Sequence, residues 1–144
     1  MKNVFVTLLI LIGFISTSKS QELGVRFGNV VGGNVALDAI ISLGEFSRVH
    51  ADLSFGNGVG VDLIWDFVYR PLGNEAFNWY AGIGANAFLG DPFQLGVPFE
   101  LGIDYQFNIP LSLSLDWRPT VVIIETTDFV VDQAGLNIRY VFGR

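Results

Sequence analysis

Apolar and polar residues alternate with a period of two in eight segments of this chain, and no stretch after residue 20 has the 3.6-residue spacing of an amphipathic helix. In the clearest segment, from Val59 to Arg70, apolar residues occupy every odd position. The eight segments are 23–28, 35–42, 48–55, 59–70, 77–89, 97–107, 111–118 and 135–142. Turn signals such as Gly56-Asn57-Gly58 and Asp91-Pro92 separate them. The pattern predicts an all-β fold, a single eight-stranded antiparallel up-and-down β-barrel.

The first twenty residues have the three parts of a secretory signal peptide. Lys2 supplies the positive start, residues 4–15 are predominantly apolar, and Ser18 and Ser20 stand where a signal peptidase reads the chain. An apolar stretch of this length is too short for a transmembrane helix, which needs about 20 residues. We therefore predict a signal peptide over residues 1–20 and one barrel domain over residues 21–144.

The composition excludes several classes of protein. A formal net charge of −6 argues against nucleic-acid binding, which needs a basic surface. Without cysteine the chain has no disulfide, no thiolate zinc site and no thiol nucleophile. Residues 21–144 contain six arginines, no lysine and fourteen acids, whereas a soluble surface usually carries roughly 25–35% charged residues. The surface of the folded domain is therefore expected to be poor in charge.

A small barrel can place its two faces in two ways. A lipocalin-like carrier points the apolar set inward around an apolar ligand, whereas a transmembrane barrel points it at lipid and the polar set into the lumen. The apolar set here includes all three tryptophans and is too large for the interior of eight strands. We therefore predict a transmembrane barrel, with a secreted or periplasmic carrier as the alternative.

Two sets of side chains follow from this orientation. Charged residues on the polar face are expected to neutralise each other inside the barrel, and we call the following set the lumen charge network: Arg26, Asp38, His50, Asp52, Asp62, Asp66, Glu100, Asp104, Asp116, Arg118 and Arg139. Aromatic residues on the apolar face collect near strand ends, as expected at the water interfaces of a membrane. This aromatic girdle comprises Trp65, Phe67, Tyr69, Trp79, Tyr105, Phe107, Trp117, Tyr140 and Phe142.

Three segments, 78–85 (NWYAGIGA), 113–119 (LSLDWRP) and 135–142 (GLNIRYVF), resemble the small outer-membrane β-barrels of Gram-negative bacteria. The resemblance is to the eight-stranded OmpA/OmpX-like group, and more closely to its short barrels of unassigned function. It implies location in the cell outer membrane and a non-enzymatic role in envelope structure or surface interaction. It also implies contact with the lipid bilayer and with the assembly machinery, which reads an aromatic near the C-terminus. Phe142 matches that aromatic and is followed by Gly143 and Arg144.

Catalytic and metal sites find weak support. A serine beside His50 could hydrolyse an acyl ester, but Ser54, on the same strand face, lies about 13 Å away by strand rise. The acid pairs Asp62/Asp66 and Glu100/Asp104 have the same spacing, so an acid–base pair would have to form across strands. Glu125 and Asp128 are weak candidates for calcium. We predict no catalytic residue, no metal and no cofactor.

The longest connection, 119–133, falls on the extracellular side by strand parity. Its apolar runs 121–124 and 129–131 flank Glu125-Thr126-Thr127-Asp128. They could extend the last hairpin beyond the bilayer and expose a strand edge to an unidentified partner. A hairpin folded over the barrel mouth is the alternative.

Overall fold

A computed structural model describes residues 21–73, 76–124 and 127–142, so the predicted signal peptide lies outside the described residues. These residues form ten β-strands. The strands are β1 (Gln21–Val30), β2 (Gly33–Ser42), β3 (Arg48–Phe55), β4 (Val59–Pro71), β5 (Phe77–Leu89), β6 (Gln94–Gln106), β7 (Leu111–Trp117), β8 (Thr120–Ile124), β9 (Asp128–Val130) and β10 (Ala134–Phe142). Within the described ranges no helix is long and apolar enough to span a bilayer.

The strands close into a barrel of eight positions. Each of the first six strands pairs antiparallel with its sequence neighbour, and β1 pairs with β10 from Gln21↔Phe142 to Gly28↔Gly135. The remaining two positions are each made of two strand segments. β7 and β8 both pair with β6, while β9 pairs with β8 and β10 pairs with β7. The predicted eight-stranded antiparallel up-and-down barrel is confirmed.

The break between β7 and β8 falls at Arg118 and Pro119. Proline has no N–H to donate to a neighbouring strand, which explains why regular pairing stops here. Wall contacts nevertheless continue through the Phe99 N–H, which donates to the Pro119 carbonyl at 2.8 Å, and the Arg118 N–H, which donates to the Gln133 carbonyl at 2.8 Å. The break therefore leaves the wall closed, and the alternation continues through it, with Asp116, Arg118 and Thr120 all buried inside the barrel.

Burial follows the period-two pattern. In β4, Asp62, Ile64 and Asp66 are buried, whereas Leu63 and Trp65 are more than half exposed. Among the described residues, six apolar and twenty-one polar or charged residues are buried. The interior is therefore polar, and the outward side chains of the strands form an apolar surface that we call the outer wall.

Tyr69 is placed differently from the prediction. A β-bulge lies between Asp66 and Val68, so that Asp66 pairs with Gly82 and Val68 with Ala81. The extra residue shifts the alternation by one position, and such a shift moves each later side chain to the opposite face. Tyr69 therefore turns into the barrel instead of joining the aromatic girdle on the outer wall.

The two ends of the barrel differ. The end that carries the start of β1, the end of β10 and the turns after β2, β4 and β6 is called the lower end. The upper end carries the turns after β1, β3 and β5 and the β8–β9 hairpin. Gly28, with φ of 133°, occupies the irregular stretch of β1 near the upper end, a conformation that favours glycine.

Candidate functional site

Arg118 lies at the centre of the lumen charge network. Its Nη1 contacts a carboxylate oxygen of Asp52 and lies 3.1 Å from Asp62 Oδ2, and its Nε donates to Glu100 Oε1 at 2.9 Å. The guanidinium and all three carboxylates are almost completely buried. These acids come from β3, β4 and β6, so one cation links three strands of the barrel. An unpaired charge in this position would be costly, since burial removes its hydration.

His50 is surrounded by charged groups. Its Nε2 contacts Asp38 Oδ1, its Nδ1 lies 3.1 Å from Glu100 Oε1, and Asp52 is farther away, at 3.8 Å from Nε2. Arg118 Nη2 lies 3.1–3.2 Å from both ring nitrogens. The hydroxyl of Ser54 donates instead to the Val31 carbonyl. The candidate Ser54–His50 pair is therefore not brought together.

Towards the lower end, Arg48 joins acids to aromatic rings. Its Nε donates to Asp66 Oδ2 at 2.8 Å, and its guanidinium carbon lies 4.3 Å from the ring centroids of both Tyr69 and Tyr80. The Tyr69 hydroxyl donates to Asp104 Oδ2 at 2.8 Å. The alternation predicted Arg48 on the inward polar face, where the structure buries it, although it was not included in the lumen charge network. Tyr80, on the inward face of β5, was not predicted as a member.

Two further groups complete the interior. Arg26 Nη1 lies 2.7 Å from Asp116 Oδ1, and Asn137 Nδ2 donates to the other oxygen of Asp116 at 2.6 Å. Arg139 Nε donates to Asp38 Oδ2 at 2.5 Å, and its Nη1 lies 3.6 Å from Glu22 Oε2. Every predicted member of the lumen charge network is thus buried inside the barrel. Glu22 and Asn137 are additional members that the prediction missed, although Asn137 stood on the polar face of its segment.

Acids outnumber cations in this interior. Among the described residues the buried charged groups are eight carboxyl groups, four guanidinium groups and one imidazole. Two sets, Asp38/His50/Asp52 and His50/Asp66/Glu100, bring potential metal-ligand atoms within 4.8 Å of one another. In both sets arginine side chains already contact the carboxylates, so guanidinium groups hold the positions that a metal ion would need. The arrangement is suited to mutual neutralisation, and a substrate would have to displace these ion pairs to reach an acid.

The four acids considered as acid–base candidates are each engaged separately. Asp62 and Glu100 contact Arg118, Asp66 contacts Arg48, and Asp104 accepts the Tyr69 hydroxyl. For calcium, Glu125 lies outside the described residues, while Asp128 is exposed and its Oδ1 accepts the Phe129 N–H at 2.8 Å.

The remaining predicted girdle residues lie on the outer wall. Near the lower end they form ring contacts, with centroids 4.8 Å apart for Tyr105–Phe107 and 4.9 Å for Tyr140–Phe142. Six of them are exposed: Trp65, Phe67, Phe107, Trp117, Tyr140 and Phe142. The other two, Trp79 and Tyr105, are half-buried.

A cavity of about 650 Å³ opens at the upper end, and we call it the mouth cavity. Among the described residues, no charged side chain lines it. The polar part of this described lining consists of five amide side chains and one hydroxyl, from Asn34, Asn57, Asn86, Gln94, Gln133 and Thr120. Asn86, Thr120 and Gln133 are buried and form its deep part.

The 119–133 connection forms part of the wall around this cavity. β8 pairs with the first part of β6, from Leu95↔Ile124 to Pro98↔Thr120, and β9 pairs with β8. The hairpin therefore continues the barrel upward instead of folding across its mouth. The far edge of β9 pairs with no other strand in the part of the chain that the structure describes.

Comparison of the chain with protein-family profiles, with curated proteins and with solved structures returned no match.

Proposed function

We propose that this protein is an integral barrel of a bacterial outer membrane, exported through its signal peptide, with a non-enzymatic role in envelope structure or surface interaction. The observation that carries the proposal is the outer wall. Outward side chains along the strands are predominantly apolar, and the exposed charges on the described strands are Arg70, close to the lower end, and Asp128, at the upper end of β9. Soluble monomers rarely expose contiguous apolar surface of more than a few hundred Å².

The interior supports the same proposal. A carrier of an apolar ligand would need an apolar cavity inside the barrel, but the middle of this barrel contains buried ion pairs. Strand length is also suitable, since about 9–11 tilted residues cross the hydrocarbon core of a bilayer. β1 and β2 have 10 residues, and β4, β5 and β6 have 13.

In this proposal the lower end faces the periplasm and the upper end faces outward. The last strand, β10, presents Ile138, Tyr140 and Phe142 on the outer wall. This outward aromatic pattern is what the assembly machinery would recognise. Replacing Phe142 with Ser is expected to lower the amount of folded protein in the membrane, whereas Phe46→Ser, in a lower turn, is the matched control.

Membrane fractionation tests the location. The full-length gene product, expressed in a Gram-negative host, should remain with the membrane pellet after carbonate extraction and enter solution only with detergent. The folded barrel should also migrate differently in gels before and after heating. Recovery of the folded protein in the carbonate supernatant would overturn the proposal.

A further inference from the structure

We propose that the mouth cavity binds a neutral saccharide unit. The inference rests on the proposed function only in that the proposed function places this cavity on the cell exterior. It makes the proposed surface role more specific by naming neutral saccharides as the ligand class. The cavity itself is defined by the barrel, whichever solvent surrounds the outer wall.

Size and depth are suitable for a small ligand. A cavity of about 650 Å³ lies within the roughly 300–1,000 Å³ range of ligand pockets. It would hold about 20 waters at ~30 Å³ each, or one or two sugar rings. Below it, the ion pairs of Arg118 close the interior, so a ligand would rest on Asn86, Thr120 and Gln133.

Asn86 provides a second, independent observation. The residue is 5% exposed and lines the cavity, yet its Nδ2 has no hydrogen-bond partner among the described residues. A Cβ at Gly96 would lie 2.6 Å from Asn86 Oδ1, so the glycine allows the amide to pack against the wall. A buried donor without a partner costs about 1–3 kcal/mol. A ligand that brings an acceptor to Nδ2 recovers that cost.

The lining selects the ligand class. An amide both donates and accepts hydrogen bonds, as a hydroxyl group does, so several amides together match a ligand with several hydroxyls. The described part of the lining carries no charged group, which disfavours ions, because none of these residues would replace the hydration of an ion. The half-buried Phe88 lies against the mouth beside Gly58 and Gly90, where it offers a surface for the C–H face of a sugar ring.

The test is calorimetric titration of the full chain, purified in an amine-oxide detergent because glucoside and maltoside detergents would compete. The probes are maltose, lactose and N-acetylglucosamine, with glucuronic acid and glucosamine as charged counterparts. We expect at least one neutral sugar to bind with a Kd of about 1 mM or tighter, and to shift an asparagine side-chain amide resonance in NMR spectra. Binding by none of the neutral sugars, or equal binding of the charged ones, overturns the proposal.

Two variants locate the site. Asn86→Leu should weaken binding about tenfold or more, whereas Asn78→Leu, on the same strand near the lower end, is the matched control and should bind normally. Val122→Trp fills the rim without altering the deep amides, so it should also block binding if Asn86→Leu does not fold. Unchanged affinity in either folded variant contradicts the assignment.

A further titration distinguishes a free sugar from a sugar carried on a lipid. Lactose and lactosylceramide in phosphatidylcholine vesicles present the same disaccharide free and on a lipid, and binding of either supports the site. The carbonate fractionation result does not depend on these titrations, so the two proposals can fail separately.

Discussion

Removal of Arg118 should be among the most damaging single changes in the barrel. Arg118 contacts Asp52, Asp62 and Glu100, and all four side chains are buried. A hydrogen bond to a charged group contributes about 1.5–3 kcal/mol, and removing one partner of a buried ion pair costs about 3–5 kcal/mol. Three contacts that share one guanidinium do not add independently. For Arg118→Met we therefore expect the free energy of unfolding to fall by about 4 kcal/mol.

The assay is urea unfolding in detergent micelles, followed by tryptophan fluorescence. Arg70→Met is the matched control, since Arg70 is exposed and its guanidinium carbon lies 4.4 Å from the Phe46 ring centroid, a contact of about 0.5–1 kcal/mol. Adding Glu100→Gln to Arg118→Met should restore part of the stability, because one uncompensated carboxylate is removed.

The pH dependence has a definite sign. Protonated carboxyl groups need no cation, so the stability deficit of Arg118→Met should shrink as the pH is lowered. A loss of less than about 1 kcal/mol, or a deficit that grows on acidification, would refute the account of Arg118 as the centre of the network.

Three further changes test other parts of the structure by urea unfolding, the first two in detergent micelles and the third in lipid vesicles. A Cβ at Gly135 would lie 1.7 Å from Arg26 Nη1, so Gly135→Ala should cost about 1–3 kcal/mol, and an unchanged midpoint would contradict that packing. Tyr69→Phe removes a part-buried hydroxyl that donates to Asp104 Oδ2, and should cost about 1–3 kcal/mol. Tyr140→Phe, on the outer wall, should change stability by less than about 0.5 kcal/mol, and equal losses would argue against the inward position of Tyr69. Leu115 is 63% exposed on the outer wall, so its substitution tests whether lipid surrounds the barrel. In lipid vesicles, Leu115→Arg should lower the free energy of unfolding by about 2–4 kcal/mol, because the charge would face hydrocarbon. A neutral effect there would argue for water outside the barrel.

Alternation in the sequence was sufficient to predict the fold and the side of the wall on which most residues lie. His50 and Arg118 stood on the polar face of their segments, and both are buried in the lumen. Their partners could not be predicted, because contacts such as Arg118–Asp52 join residues far apart in sequence and depend on how the closed barrel is staggered.

The remaining differences arise where the alternation changes locally. The bulge before Val68 turns Tyr69 inward, and a count of odd and even positions carries no sign of it. The mouth cavity was likewise hidden, since it depends on β8 continuing the wall beside β6 after the break at Pro119. Asn86 could be placed on the inward face of its segment, but its lack of a partner is a property of the assembled interior.

The ionic layer around Arg118 also has a consequence for permeation. Arg118 meets acids from β3, β4 and β6 inside the barrel, so among the described residues these ion pairs separate the mouth cavity from the lower end, and we expect the cavity to be a blind chamber. A molecule that enters it must leave by the same opening. Planar bilayers containing the protein should therefore show no stepwise ion currents, and swelling of protein-loaded liposomes in sugar solution should match that of empty ones.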